Sequence, residues 1–525
     1  MDDCQPVNRS SHTSSNVRGV LLTGATGLLG QYLLHDLLLR NYSVTVLVRD
    51  SRHCNAVERI TRLVNDWSEC LQCQIEKPKI LIGDLGETNL GLTVIDQSWI
   101  GRHCQTVLHS AANLSFRETA EGEPRQTNVN GTASLLDLCQ RQGVSEWHQV
   151  STAFVCGKSE SAIIEDKLLN QPLFHNIYEK SKFDAEQLIR RTPNLHTTYY
   201  RPSVIVGDSR TGHTSNFNGL YRFLELATLL ASKESTSSDC SLPLRLPLSG
   251  NEAWNLVTVD WVSQAIVELL GKPKCHGQTY HLISRSPVAT REIYEVAIRK
   301  LNLRSFQFAG PEGIKHPTRQ EQMFLDGIHD YWPYLRGNPV FSDVNTRTAL
   351  PDLPPTIIDR TMLERLIHFA VTNQWGRKPR RTSEIVSSHH TQSQCSEYIE
   401  ITFPQQARKS KLGRRAGLDL TVCIDVKGTG GGQWACKWSE GELVYAKRGL
   451  ENGAAVTYHT DAATFDAVIN KRLAPQEAFF EQRIAITGDI EIGLKMAFLF
   501  WQFLEELPDQ QPTQKEVINA HHLTS

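Results

Sequence analysis

The sequence has almost no net charge, no long apolar run and no ordered cysteine framework, and each absence removes a class of protein. A formal net charge of −2 over 525 residues gives no whole-chain attraction to nucleic acid or to an anionic membrane. No run of about 18 apolar residues occurs, so no membrane-spanning helix is expected. The twelve cysteines are scattered and show no disulfide scaffold, which suits free thiols in a reducing cytoplasm. Cys70 and Cys73 make one C-x-x-C, but a second pair at zinc-site spacing is missing, so no metal site is expected. The opening Met-Asp-Asp-Cys-Gln has no apolar signal core behind a basic start. The final His-His-Leu-Thr-Ser matches no retention or peroxisomal address. A cytoplasmic protein is the expectation.

What is present is globular: 40% hydrophobic and 21% charged residues, in a chain too long for a single core. Residues 1–17 are polar and Ser-rich, a disordered leader by composition. From Arg18 strand and helix patterns alternate. Gly19–Thr23 suits a buried parallel strand, and Leu33, Leu34, Leu37 and Leu38 recur at helical spacing within 29–39. Further strands are expected at 43–48, 79–83, 106–110, 147–151 and 199–206. This rhythm predicts an α/β domain with a doubly wound parallel sheet of Rossmann type. Past Gly207 the pattern loosens into helices at 218–231 and 259–270 among Pro-rich loops, a substrate-covering subdomain. The first domain thus runs over 18–375, and the basic, then Ser/His-rich stretch 376–397 reads as a linker. Residues 398–508 read as a separate α+β unit with five short strands and a closing apolar helix from Leu494 to Leu504. Residues 509–525 form a tail.

The turn after the first strand is Thr23-Gly24-Ala25-Thr26-Gly27-Leu28-Leu29-Gly30. Gly24 allows a tight turn, Gly27 lets backbone approach a pyrophosphate, and Gly30 permits close helix–strand packing. The helix that follows points its N-terminus at the phosphates. Thr23, Thr26, Leu28 and Leu29 are assigned to the cofactor with these glycines. The second strand ends at Val48, followed by Arg49. An arginine there pairs with the 2′-phosphate of NADPH. The competing reading, in which Asp50 holds a ribose hydroxyl and NADH is the cofactor, is not favoured. Tyr178 and Lys182 stand four apart and share a helix face. A phenol with a pKa near ~10 is a poor acid at neutral pH, and an adjacent ammonium is expected to favour its ionised form. Thr152, with Ser151 second, offers a hydroxyl to a reacting carbonyl oxygen.

The segments 23–30, Gly-Asp-Leu (83–85), His-Ser-Ala-Ala (109–112), Asn-Val-Asn-Gly-Thr (128–132), Val-Ser-Thr-Ala-Phe-Val (150–155), Tyr-x-x-x-Lys (178–182) and Tyr-Arg-Pro-Ser-Val-Ile-Val-Gly (200–207) occur in this order. Together they resemble the extended short-chain dehydrogenase/reductase family, and within it the thioester-reductase and fatty-acyl-CoA-reductase branch. The resemblance implies that Asp84 and Leu85 lie near the adenine and Ala111 and Ala112 near the nicotinamide. It implies that Asn128 orders active-site backbone and water, and that Arg201 and Pro202 border cofactor and substrate. Segments 431–434, 461–469, 473–480 and 486–496 resemble the sterol-carrier-protein, or non-specific lipid-transfer, fold. That likeness implies an apolar tunnel, with Phe479, Phe480, Ile490, Met496 and Phe500 as liners; solid core is the competing reading of each. Arg408, Lys409, Lys411, Arg414 and Arg415 suit either an anionic lipid surface or, preferably, a solvated helix face. Fatty-acyl-CoA reductases of eukaryotic type carry a different C-terminal domain, so acyl-CoA reduction does not transfer directly.

The residues therefore predict an NADPH-dependent oxidoreductase acting on a lipid-like carbonyl or acyl thioester. Its partners would be an acyl or sterol-like substrate carried by CoA or an acyl-carrier protein; a homodimer is compatible but not required. Other readings are a hydroxysteroid or lipid-alcohol dehydrogenase, a redox-sensing lipid-binding protein without catalysis, and a sugar-nucleotide epimerase or dehydratase.

Overall fold

The computed structural model describes residues 19–51, 54–159, 162–166, 168–170, 172–231, 245–301, 307–376, 394–407, 410, 412–428, 430–480 and 483–506. The expected leader, the tail and most of the expected linker lie outside these. The chain divides into two units, Met1–Gly376 and Arg377–Ser525.

Seven strands form the main sheet of the first unit: β1 Gly19–Thr23, β2 Ser43–Val48, β3 Lys79–Ile82, β4 Thr106–His109, β5 Glu146–Val150, β6 His196–Pro202 and β7 Thr279–Leu282. All neighbours pair in parallel, in the order β3-β2-β1-β4-β5-β6-β7. The near-continuous apolar character of β1 and β2 follows from this, because both faces are covered. On one face α1 (Leu28–Leu39), α2 (Ala56–Leu71) and α7 (Val259–Leu270) bury Leu33, Leu34, Leu37, Ile60, Val64, Val262 and Ile266. On the other, α3 (Val94–His103), α4 (Thr132–Arg141) and α5 (Ile177–Arg191) bury Ile100, Leu135, Leu136, Leu138 and Ile189. The chain winds outward from β1 to β3, then crosses to β4 on the other side of β1. That reversal opens a crevice at the carboxyl ends of β1 and β4, where ligands of such sheets bind.

The segment expected as one strand over 199–206 is broken in two. His196–Pro202 stays in the main sheet, while Val204–Val206 leaves it to pair with Leu256–Thr258. Pro202 lacks the amide needed to continue a ladder evenly. Beyond it α6 (Leu220–Ala231) and the helix Arg319–Ile328 meet through Phe223, Trp254 and Phe324, whose rings lie under 6 Å apart.

The second unit is a five-stranded sheet of β8 Leu420–Lys427, β9 Gly432–Ser439, β10 Glu442–Arg448, β11 Val456–Asp461 and β12 Ile484–Gly488, ordered β10-β9-β8-β11-β12. Only the β8–β11 pair is parallel. Helices Ala462–Ile469, Pro475–Phe480 and Ile490–Glu506 accompany it. A further helical segment, Gln394–Ala407, corrects the expectation of linker up to residue 397. Its Tyr398 and Phe403 are covered by Phe465, Trp438 and Phe503, contacts that local composition does not reveal. No helix among the described residues is long and apolar enough to cross a membrane.

Candidate active site

The crevice begins at the glycine turn. Gly24 has φ +76°, and a Cβ there would lie 2.7 Å from the Ala111 amide nitrogen, so the ends of β1 and β4 touch through backbone. The Gly27 amide donates to the Gly24 carbonyl at 2.9 Å. Gly27 then caps α1, with no side-chain hydrogen bond to the helix amides and no acid in the first turn. A Cβ on Gly27 would meet only the Gly24 carbonyl, at 3.4 Å, whereas one on Gly30 would fall 1.9 Å from that same oxygen. The helix start therefore presents amides and positive dipole, uncapped and close to open space, which fits a pyrophosphate. Thr26 accepts from Gln31 through its carbonyl at 3.0 Å, Leu28 is half-buried and Leu29 is buried.

Thr23 is turned inward. Its hydroxyl accepts from the Ala111 amide at 3.2 Å and lies 2.7 Å from His109 Nδ1. His109 Nε2 lies 3.1 Å from the Thr132 hydroxyl, which itself donates to the Asn128 carbonyl at 2.7 Å. Thr132 therefore accepts, so the imidazole proton sits on Nε2 and Nδ1 accepts from Thr23. Burial, reinforced by Lys182, pushes the His109 pKa down to about 3, consistent with a neutral ring. The Thr23 side chain thus braces the two strand ends. Asn128 is part of the same frame. It lies in a π-helical turn, Gln126–Gly131, accepts from the Asn113 amide at 2.8 Å, and donates to the Asn113 carbonyl at 2.9 Å and to Ser181 at 2.8 Å. Ala111 and Ala112 are half-buried at the start of the loop it holds.

At the opposite edge Arg49 follows β2 with its side chain 71% exposed, 3.4 Å from Asp84. Asp84 also accepts from the Gly86 amide at 2.9 Å. Leu85 is half-buried, set against Gly131, where a Cβ would approach Leu85 to 2.8 Å. Asp50 accepts from the Ala56 amide at 2.7 Å, so its carboxylate is engaged at the start of α2.

Tyr178 and Lys182 lie on α5, whose start is fixed by Asn176 accepting from the Glu179 amide at 3.0 Å. Lys182 is buried and donates to the Val150 carbonyl at 2.7 Å, two residues before Thr152. The first turns of α5 therefore lie at the carboxyl end of β5. Burial lowers the Lys182 pKa to about 8, against the pull of Glu186. Tyr178 departs from expectation: burial, then the Glu179 charge, raise its phenol above the usual range. Desolvation wins because the ammonium is committed to a carbonyl rather than to the phenol. Thr152 is buried, and its hydroxyl accepts weakly from the Phe154 amide at 3.4 Å. The Ser151 hydroxyl is buried near Glu186 without a well-formed hydrogen bond. Arg201, 1% exposed, grips Glu186 through Nε at 2.9 Å and Nη2 at 2.7 Å, and donates to the Glu165 carbonyl at 3.1 Å. Its guanidinium thus clamps α5 to β6. Pro202 beside it is buried.

Residues that sequence reasoning missed close the site. The Phe116 ring lies 6.1 Å from Tyr178, 5.2 Å from Tyr331 and 5.5 Å from Tyr334. Tyr334 donates to Glu179 at 2.6 Å and accepts from Asn176 at 2.8 Å. Arg117 pairs with Asp330 at 2.8 Å. More than 200 residues separate the two sides of this wall, and no local pattern joins them.

In the second unit Phe479 and Met496 are buried. Phe500 packs on Phe403 and Phe503 with ring centres 5.8 and 6.1 Å away, as a member of an aromatic core. The side chains of Phe480, Ile490 and Arg415, and residues Arg408, Lys409 and Lys411, lie outside the described residues. Arg414 pairs with Glu442.

Comparison with known proteins agrees with this geometry. Residues 22–266 match the NAD-binding model described as male sterility protein, and residues 402–500 match the SCP-2 sterol transfer family. The chain is 27% identical over 287 residues to the nonribosomal peptide synthetase asaC of Aspergillus flavus, covering 52% of this chain and 27% of that protein. It is 24% identical over 395 residues to the glycine betaine reductase ATRR of Emericella nidulans, covering 70% of this chain and 29% of that protein. The chain thus spans under a third of these curated relatives. Among solved structures it resembles the terminal R domain from the myxalamid PKS-NRPS biosynthetic pathway, with TM-score 0.55 and 26% identity over 69% of this chain and 92% of that one.

Proposed function

Starting from a chain that joins an NAD(P)-dependent oxidoreductase domain of the extended short-chain dehydrogenase/reductase family to an SCP-2 domain, we propose that it reduces an acyl thioester with NADPH. The SCP-2 unit would hold the apolar acyl or sterol-like part of the substrate, and CoA or a carrier protein would present the thioester. The observation that carries the reading is the packing of α5 against the end of β5, which brings Tyr178 and Lys182 to the strand that leads into Thr152. The A. flavus and E. nidulans relatives, named a peptide synthetase and a reductase, favour a carrier-bound acyl substrate over a sugar nucleotide.

Gly24, Gly27 and the α1 amides would hold the pyrophosphate, Asp84 and Leu85 the adenine side, Arg49 the 2′-phosphate, and Ala111 and Ala112 the nicotinamide side. When bound, the nicotinamide supplies hydride. The remaining chemistry belongs to the chain. Thr152 and the neutral Tyr178 phenol donate hydrogen bonds to the substrate carbonyl oxygen, which polarises its carbon and stabilises the developing oxyanion. Tyr178 then passes its proton to that oxygen. Lys182 below pH ~8 is an ammonium, able to hold ribose hydroxyls and to stabilise the tyrosinate left behind. Collapse of the resulting hemithioacetal breaks the carbon–sulfur bond. Overall, thioester, NADPH and one proton give aldehyde, thiol and NADP⁺; a second round gives the alcohol.

Loss of NADPH absorbance with panels of acyl-CoA, acyl-carrier-protein, ketone and sterol substrates tests the reading. Turnover is expected with long-chain thioesters, and Tyr178→Phe should lower kcat by ~10²–10⁴ while NADPH still binds. Turnover only with sterols, or unchanged turnover in Tyr178→Phe, would overturn it.

A further inference from the structure

At the amino-terminal edge of the main sheet, remote from the turn and from Tyr178, four chemistry-bearing side chains converge. Glu146 opens β5 and lies in register with His196, which opens β6. His148 follows two residues along β5, and His276 precedes β7. Glu146, His148 and His276 each point one ligand atom inward, and the three atoms lie within 4.8 Å of one another. The His148 and His276 rings are 4.6 Å apart and edge-on, with His196 6.4 Å from His276. The histidine side chains are 0% and 2% exposed and the glutamate 23%, while His196 is exposed. The cluster is thus buried with one open side.

The hydrogen bonds fix what points inward. His276 Nε2 faces the carbonyls of Leu269 and Leu270, the last of α7, each at 3.1 Å. Carbonyls accept, so that nitrogen carries a proton, and Nδ1 faces Glu146 Oε1. His148 Nδ1 is held by the Tyr200 hydroxyl at 2.8 Å, which leaves Nε2 facing the same Glu146 oxygen at 3.4 Å. The other glutamate oxygen accepts from Thr106 at 3.0 Å. Two imidazole nitrogens thus converge on one carboxylate oxygen, and a metal ion bound by these three side chains would take the place of both contacts. Zinc bonds of ~2.0–2.1 Å in a tetrahedron separate ligand atoms by ~3.3 Å, close to the His148–Glu146 spacing; at His276 the ion would replace the direct contact with Glu146. Backbone carbonyls, a phenol and a hydroxyl on the outer atoms are the supports that orient metal-binding imidazole and carboxylate.

We propose that Glu146, His148 and His276 form a zinc-class divalent-metal site, with His196 at its open side. It ties β5, β6 and the approach to β7 together. The reaction end of β5 lies four residues away, ~13 Å along the strand, so the site supports the sheet and does not act on substrate.

The test uses the full chain, stripped with chelator and then titrated with zinc or cobalt(II). One equivalent of zinc should bind, and the cobalt form should show visible ligand-field bands without a thiolate charge-transfer band. The double variant His148→Gln/His276→Gln should fall below ~0.2 equivalents while still binding NADPH; because that variant could fail to fold, Glu146→Gln and the cobalt spectrum of the unmodified chain stand beside it. Failure of the unmodified chain to take up zinc at micromolar concentration would overturn the proposal and leave a proton-bridged ion pair. A thiolate band, or zinc retained by the folded double variant, would overturn it too, placing the metal at cysteines.

Discussion

Lys182 carries the most information of any residue in the reductase unit, because its charge is set by burial and its ammonium by one carbonyl. Its pKa falls from an ordinary 10.5 to about 8. Between those values the unfolded chain binds the proton and the folded chain does not, so this residue makes stability rise with pH across that window. Activity should run the other way. kcat/KM for thioester reduction should fall as pH rises through about 8, as the free enzyme loses the ammonium. The anionic dinucleotide favours the charged form, so the limb in kcat should lie higher. A pH–rate series checks this, and a kcat/KM profile flat to pH 10 would contradict it. Arg49 makes a separate prediction. It is largely exposed and has one long contact to Asp84, so it remains available to a phosphate. Arg49→Ala should raise KM for NADPH by ~10-fold, the scale of a charge-assisted hydrogen bond, and leave KM for NADH nearly unchanged. Equal effects on both coenzymes would remove the case for a 2′-phosphate contact.

Among elements, the strand–turn–helix around Gly24 is the most tightly determined. Gly30 shows why: its α-carbon meets the Gly24 carbonyl so closely that a methyl group has no space. Gly30→Ala should displace α1 from the turn, weaken dinucleotide binding at least ~10-fold and cost ~2–4 kcal/mol of stability, read by coenzyme titration and thermal melting. Normal binding in that variant would mean the turn is not the phosphate site. This element was legible because the glycines, the apolar strand and the Leu-rich helix are contiguous in sequence. Strands β2, β4 and β5 were legible for the same reason, to within a residue or two. The helical segment 394–407 was not, since its apolar residues pack on partners 30 to 100 positions away. For Arg201 the motif gives a position but not the direction of its side chain, which Glu186 decides. Phe116, Tyr331, Tyr334 and the Glu146–His148–His276 group were invisible because only the folded sheet and its subdomain bring them together.

For the whole molecule, each unit has its own sheet and its own core. On the proposed reading, tethering the SCP-2 unit with its lipid to a reductase raises the local concentration of an apolar substrate without any new contact. Thioester turnover should therefore favour long acyl chains over short ones. The central claim is that hydride passes from NADPH to a thioester carbon under the proton supply of Tyr178. The direct measurement is mass spectrometry of the product formed from a long-chain acyl thioester and NADPH deuterated at nicotinamide C4. The account predicts deuterium on the former thioester carbon of the aldehyde or alcohol, formed ~10²–10⁴-fold more slowly when Tyr178 is phenylalanine. Recovery of intact thioester beside bound, unconsumed coenzyme would contradict it.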